Sequence, residues 1–279
     1  MTILKWTAFA TISAFLLGLA ATYALGAVQP STVLQKHETI VFVAVRKSAS
    51  STLDLDASDK ALWRSRAAFP LIGADTAYWT EFLIFPDDGA LSELTNAEGD
   101  VLDIFAAEVA LVRVPALALG LLRGRHLLGL ARRPSGALPK SIDEIDGRKD
   151  VLPTDEAIRK LTTATPERQL TMMNFLAYFP ESASSPEGGR AAYRRYGMQA
   201  MQSVHQVGGQ FLFAGRIARV LIDARSGPTM GEWDDLAAMM YPDPTAILYM
   251  EQIPAYQKAL ADRDRGLSRT VVIASEAHK

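Results

Sequence analysis

Asn174 interrupts an otherwise apolar run, LTMMNFLAYF at 170–179. An unpaired buried amide costs roughly 1–3 kcal/mol, so this side chain must find partners. Either it points into a cavity and binds a ligand or an oxyanion, or it satisfies nearby backbone. It shares a strand face with Met172, Leu176 and Tyr178. His205 lies near the end of a helical stretch, where a cation is favourable. It is the default proton carrier, with a solvated surface histidine as the alternative. Trp233 offers a flat face and one donor, suited to a pocket wall or to core filling. Together Asn174 and Trp233 could polarise and orient an aromatic or enol-type substrate, with His205 as base. Tyr193 and Tyr196 follow a helical stripe with Ala200, Val204 and Val207, as core filler or as ligand contacts.

Other chemistries lack their residues. The chain has no cysteine, which removes thiolate nucleophiles, disulfides and iron–sulfur ligation. Its four histidines, His37, His126, His205 and His278, have no metal-ligand spacing. Haem could be argued only for His205 or His126, each a lone histidine. There is no Gly-x-Ser-x-Gly elbow and no phosphate loop. The sequence therefore calls for no cofactor and no metal. Lys and Arg number 29 against 31 Asp and Glu, a net charge of -2, so nothing draws the chain to nucleic acid. The basic cluster Arg123, Arg125, Arg132 and Arg133 is a solvated helix face or a contact for anionic lipid headgroups.

The elements that must position these residues are readable in outline. Strands are expected over 39–45, 77–85, 109–114, 170–179, 210–214, 217–222, 233–241 and 269–274. Helices are expected over 60–69, 90–107 (interrupted at Gly99), 117–133, 191–207 and 245–261. A further helix opens after Pro153, with Thr154 as N-cap and Asp155 and Glu156 in its first turn. Gly208-Gly209 stops the 191–207 helix. From residue 170 the order is β-α-β-β-α-β, the split βαβ or ferredoxin-like unit.

The first half repeats this outline. Phe85-Pro86-Asp87 sits where Tyr241-Pro242-Asp243 sits, and Trp79 and Trp233 are two residues out of register, which keeps them on the same strand face. A ferredoxin-like sheet carries helices on one face only, so its bare face must be covered. Two such sheets from one chain would cover each other and enclose a cavity.

Residues 6–28 carry no Asp, Glu, Lys, Arg or His. As a helix they would span roughly 35 Å, enough to cross a bilayer. A cleaved signal segment is the alternative. Either way the body is expected on the extracytoplasmic (periplasmic) side, membrane-anchored through 6–28 or secreted.

The C-terminal half resembles a known family. Met172–Phe179, Ala192-Tyr193-Arg194-Arg195-Tyr196-Gly197, Gly208-Gly209, Trp233-Asp234, Tyr241-Pro242 and Arg263-Asp264-Arg265-Gly266 follow the order of the domain of unknown function 1330 family. That family belongs to the dimeric α/β-barrel superfamily. The resemblance implies ferredoxin-like sheets paired into a barrel, among relatives that include cofactor-free monooxygenases, isomerases and haem enzymes. It assigns no activity. Arg263 matches a recurring family position and would clamp an anionic group or cap a carbonyl.

The expectation is thus an α+β chain of two tandem ferredoxin-like domains packed sheet to sheet as a pseudo-dimeric barrel. Residues 1–35 form the anchor and linker, 36–118 the diverged copy, 119–152 a connection and 153–279 the family domain. Pairing is within a monomer or across a homodimer. The chain binds a small apolar molecule or a protein partner, or else acts as a cofactor-independent monooxygenase or isomerase.

Overall fold

Apolar runs rich in Val, Ile, Leu, Phe, Ala and Met make eight strands among the described residues, in the four-plus-four grouping the repeat implies. The structure, a computed structural model, describes residues 30–51, 60–97, 99–181 and 187–277. The apolar run at 6–28 lies outside them, as does His278. No helix among the described residues is long and apolar enough to cross a membrane. The first half supplies β1 (Thr39–Lys47), β2 (Trp63–Ile72), β3 (Glu81–Phe85) and β4 (Val101–Leu111). The second supplies β5 (Leu170–Tyr178), β6 (Gln210–Ile222), β7 (Asp235–Tyr241) and β8 (Leu267–Ala277). The helices are α1 (Pro30–Leu34), α2 (Leu91–Thr95), α3 (Ala116–Leu127), α4 (Asp155–Thr163), α5 (Gly188–Gln206), α6 (Ala246–Tyr249) and α7 (Pro254–Gly266).

Each half has the same strand order, β4-β1-β3-β2 and β8-β5-β7-β6, and the eight strands close into one barrel. Closure comes from two antiparallel seams, β2 on β8 and β4 on β6. The halves therefore meet edge to edge, not as two open sheets laid face to face. Unpaired edge strands expose rows of backbone donors and acceptors, and closure removes them. At the β2–β8 seam Ser65 Oγ donates to Ser275 Oγ at 2.9 Å, and Ser275 Oγ donates to Thr171 O at 3.1 Å.

The chamber expected between the sheets is a packed core. Phe42, Phe82, Phe105, Phe175, Phe213 and Trp233 fill the barrel with Ile, Leu and Met. The Phe175 ring lies 5.7 Å from Phe42, 5.6 Å from Phe105 and 5.7 Å from Trp233, all edge-on. The two repeat-related tryptophans meet at one residue. Trp79 Nε1 donates to Thr229 Oγ1 at 3.0 Å, and Trp233 Nε1 donates to Thr229 O at 2.8 Å.

Several element expectations are corrected. The 60–69 segment is β2, not a helix. Its Pro70 falls where β2 has left β3 and pairs only with β8, so the missing N–H costs no ladder bond on the other side. The 90–107 stretch is the short α2 followed by β4, with Gly99 at φ 87 between them. The 245–261 helix is α6, a 3-10 turn (Met250–Gln252) and α7, restarted by Pro254 at its first turn. The strand expected from Trp233 begins at Asp235, and 210–222 is one strand with a bulge between Phe211 and Phe213. Thr154 does cap α4, accepting from Ala157 N at 3.1 Å.

The outer faces of the two halves differ. In the first half Ala90 and Leu94 cover Val41, Val43, Leu83 and Phe85. In the second, α5 and α7 lie against each other over β5, β7 and β8.

Candidate ligand cavity

Helix α5 is held close to the sheet at both ends by glycines. A Cβ on Gly189 would sit 2.2 Å from Gly266 O and 2.6 Å from Phe179 N, so only glycine fits there. Gly189 N donates to Phe179 O at 2.8 Å, and Phe179 N donates to Gly266 O at 3.0 Å. At the other end Gly208 takes φ 87, a left-handed stop that disfavours other residues. Between these pins, side chains from α5, α7 and the outward face of β5, β7 and β8 surround a cavity of about 520 Å³. That size suits a small organic ligand.

Its walls are mostly apolar, including Met172, Leu176, Met239, Val204 and Leu248. Four tyrosine rings form a file along it. Tyr178 and Tyr193 are 5.3 Å apart, Tyr193 and Tyr196 5.3 Å, and Tyr196 and Tyr256 5.8 Å. Burial pushes all four phenols upward, so they stay neutral donors.

Polar groups flank the file. Near one end Tyr178 Oη donates to Asp235 Oδ2 at 2.8 Å, and Arg190 bridges Asp235 and Asp234. Burial pushes the Asp235 carboxyl up, against the opposing bonds from Tyr178 and Arg190. Near the other end the Tyr196 and Tyr256 hydroxyls share a hydrogen bond of 3.0 Å. Arg263, only 5% exposed, holds Asp264 Oδ1 through Nε and Nη2 at 3.1 and 3.0 Å. Its guanidinium also acts on the Tyr196 hydroxyl. Glu251 lines the same cavity. Burial pushes its carboxyl up to about 7, with Arg263 opposing and Asp146 adding to the rise.

Asn174, Tyr193, Tyr196 and Arg263 thus converge, but on the helix side of the sheet rather than between two sheets. Asn174 Nδ2 donates to Met172 O at 2.8 Å and Ala237 O at 3.1 Å, so its amide serves backbone. Neither bond uses the amide oxygen.

His205 and Trp233 are not among the cavity residues. His205 is buried near α3, its Nδ1 within 2.8 Å of Met201 O. Burial lowers its pKa, against the opposing bond to Met201 O, and its neighbours His126 and Arg123 on α3 lower it further. It packs away from the cavity, so the geometry does not bring it to the cavity as a base. Trp233 is a plug of the barrel, its one donor spent on Thr229 and its outer face under Arg269 at 3.9 Å.

Glu251, Tyr178, Tyr256, Asp235 and Arg190 complete the site and were not singled out by sequence. Glu251 carried a usable signal, the same as Asn174: a polar residue inside the apolar run AILYMEQIPAY. Among the described residues, no group of three or more His, Cys, Asp or Glu is placed to hold a metal ion.

No protein-family model matches the chain. No curated protein matches it either. Among solved structures it is similar to a protein of unknown function from Rhodopseudomonas palustris, 26% identical over 46% of this chain and 95% of that one, TM-score 0.39. It is similar to an anthrone oxidase-like protein at 12% identity, over 88% of this chain and 93% of that one, TM-score 0.43. It is also similar to a chlorite dismutase from Candidatus Nitrospira defluvii at 8% identity, over 88% and 94% of the two chains, TM-score 0.42. All three TM-scores lie below 0.5, so what those proteins bind or catalyse says nothing about this chain.

Proposed function

We propose that this protein binds a small, mostly apolar molecule bearing an oxygen function, in the cavity between its C-terminal sheet and α5 and α7. The observation that carries this is the file of neutral tyrosines along an apolar chamber of about 520 Å³, with hydrogen-bonding groups near both ends. Aromatic faces bind planar apolar ligands, and a few placed polar groups fix their orientation. The test is binding of anilinonaphthalene sulfonate to the wild type and to Ala200→Trp, which fills the chamber from α5. Saturable binding abolished in the folded variant supports the reading. Equal binding to both overturns it.

A second reading is a cofactor-independent enzyme, an isomerase or monooxygenase of an aromatic or enol-type substrate. It is favoured by Glu251, a carboxyl in the same cavity that titrates near neutrality, up at about 7. One chain closes the barrel, so the reading is of a monomer with an internal pseudo-dimer.

We also propose that residues 6–28 tether the body to a membrane, with the body on the extracytoplasmic side. The supporting observation is where Gln35, just past the apolar run, is held. Gln35 Nε2 donates to Val112 O at 3.3 Å, and Val114 N donates to Gln35 Oε1 at 3.3 Å. Val112, 53% exposed, lies among the cavity residues. Leu117 and Leu130, 65% and 68% exposed, follow it in the sequence, with Arg123 and Arg125 between them. A bilayer against this segment would cover its exposed leucines. Flotation of the full chain with phosphatidylcholine vesicles, lost on deletion of 6–28, supports the tether. A full chain that stays with the soluble fraction overturns it.

A further inference from the structure

Glu251 sits in the 3-10 turn between α6 and α7, a turn forced by the restart of the helix at Pro254. The break aims a carboxylate at an apolar chamber, an arrangement that costs stability and marks a candidate functional group. We propose that Glu251 moves a proton on and off a carbon acid bound in this cavity, the Tyr196–Tyr256 hydroxyls and Arg263 holding its carbonyl oxygen. This rests on the ligand-binding reading and names the ligand class: an enolisable ketone or ester with an aromatic or alicyclic body.

Three observations place these roles together. Glu251, Tyr196, Tyr256 and Arg263 all line one cavity. The two phenols are hydrogen-bonded at 3.0 Å, and the Arg263 guanidinium acts on Tyr196. A cation beside a phenol strengthens its donation to a developing oxyanion. The groups facing Glu251 are Arg263 and Tyr256 from α7, Tyr196 from α5, Tyr241 from β7 and Asp146 from the 119–152 connection. Arg263 is the one cation among them, and it does not offset the burial. Both protonation states of Glu251 are therefore populated near neutral pH, the condition a proton shuttle requires.

The step balances without an oxidant. The proton on the α-carbon passes to the Glu251 carboxylate, and the C–H electron pair becomes a C=C bond. The carbonyl π pair moves to oxygen, where the enolate accepts a hydrogen bond from whichever phenol of the pair does not donate to the other, beside Arg263. Return of the proton from the Glu251 acid, to the same carbon or to a conjugated one, restores the carboxylate. It releases the original ketone or its double-bond isomer.

The experiment uses β-tetralone in D2O with the full chain. NMR follows both its saturable binding and the exchange of its α-protons for deuterium. Exchange above the buffer rate, rising with pH through a midpoint near 7, is expected of the wild type. Glu251→Gln should lower it about 100-fold while binding persists, and Glu251→Asp should restore part of it. Tyr196→Phe should lower exchange and keep the midpoint. Binding without protein-dependent exchange overturns the proton-transfer proposal and leaves the binding reading standing. So does exchange unchanged in Glu251→Gln. Failure of β-tetralone to bind overturns both. Should Glu251→Gln not fold, the wild-type pH profile decides: a midpoint near 7 supports the proposal and a flat profile overturns it.

Discussion

Tyr196 on α5 and Tyr256 on α7 meet hydroxyl to hydroxyl at 3.0 Å, with their rings 5.8 Å apart. This bond ties the two helices together at the cavity end that holds Arg263 and Glu251. Because Tyr256 is buried and Tyr196 half-buried, removing one hydroxyl leaves the other short of a partner. Tyr196→Phe and Tyr256→Phe should each cost about 1 kcal/mol. The double variant should cost less than their sum, by roughly 0.5–1 kcal/mol. Urea unfolding of the four proteins measures the coupling, and strict additivity would break the pairing.

The pH dependence of stability should carry the mark of Glu251. Its folded pKa, about 7, lies above the ordinary glutamate value of 4.5. The folded state therefore holds this proton more tightly than the unfolded chain does. The associated stability is fully present below about pH 4.5 and is lost as pH rises to about 7. Its size is on the order of 3 kcal/mol. Glu251→Gln should flatten this part of the profile, and should exceed the wild type in stability at pH 8. Unfolding midpoints of both proteins at pH 5 and 8 test this; identical slopes would refute it.

Asn174 faces two carbonyl oxygens, Met172 O and Ala237 O. Asn174→Leu gives up both bonds and should cost about 1–2 kcal/mol. Asn174→Asp is isosteric yet should do more harm above pH 4, because a carboxylate brings only acceptors to two acceptors. Its penalty should shrink as the solution is acidified and the new carboxyl takes a proton. Thermal melts across that range give the sign.

Phe175 stacks edge-on against Phe42, Phe105 and Trp233 in the barrel centre. Phe175→Ala should cost about 3–5 kcal/mol, with no gain of ligand capacity comparable to the natural cavity. A stable variant with an enlarged, ligand-accepting interior would mean the barrel is a chamber after all.

Sequence alone carried the second half a long way. The strand at β5, the long α5 with its glycine stop, the Thr154 cap and the repeat of the two halves all follow from local periodicity and capping chemistry. Local rules failed at β2 and β4. There a proline, and alanines at helical spacing, mimicked helix signals while the barrel seams supplied the hydrogen bonds that decide. Period-two alternation showed that β5 has two faces but not which one meets helices, because both are apolar and buried. So Asn174 was placed on a face but not on a side. His205 and Glu251 show the same limit from opposite directions. One sits in a regular helix and is packed away; the other sits in an unremarkable turn and reaches the cavity. Whether a titratable side chain meets water, core or cavity depends on which elements close over it. That contact is non-local, and only the folded chain fixes it.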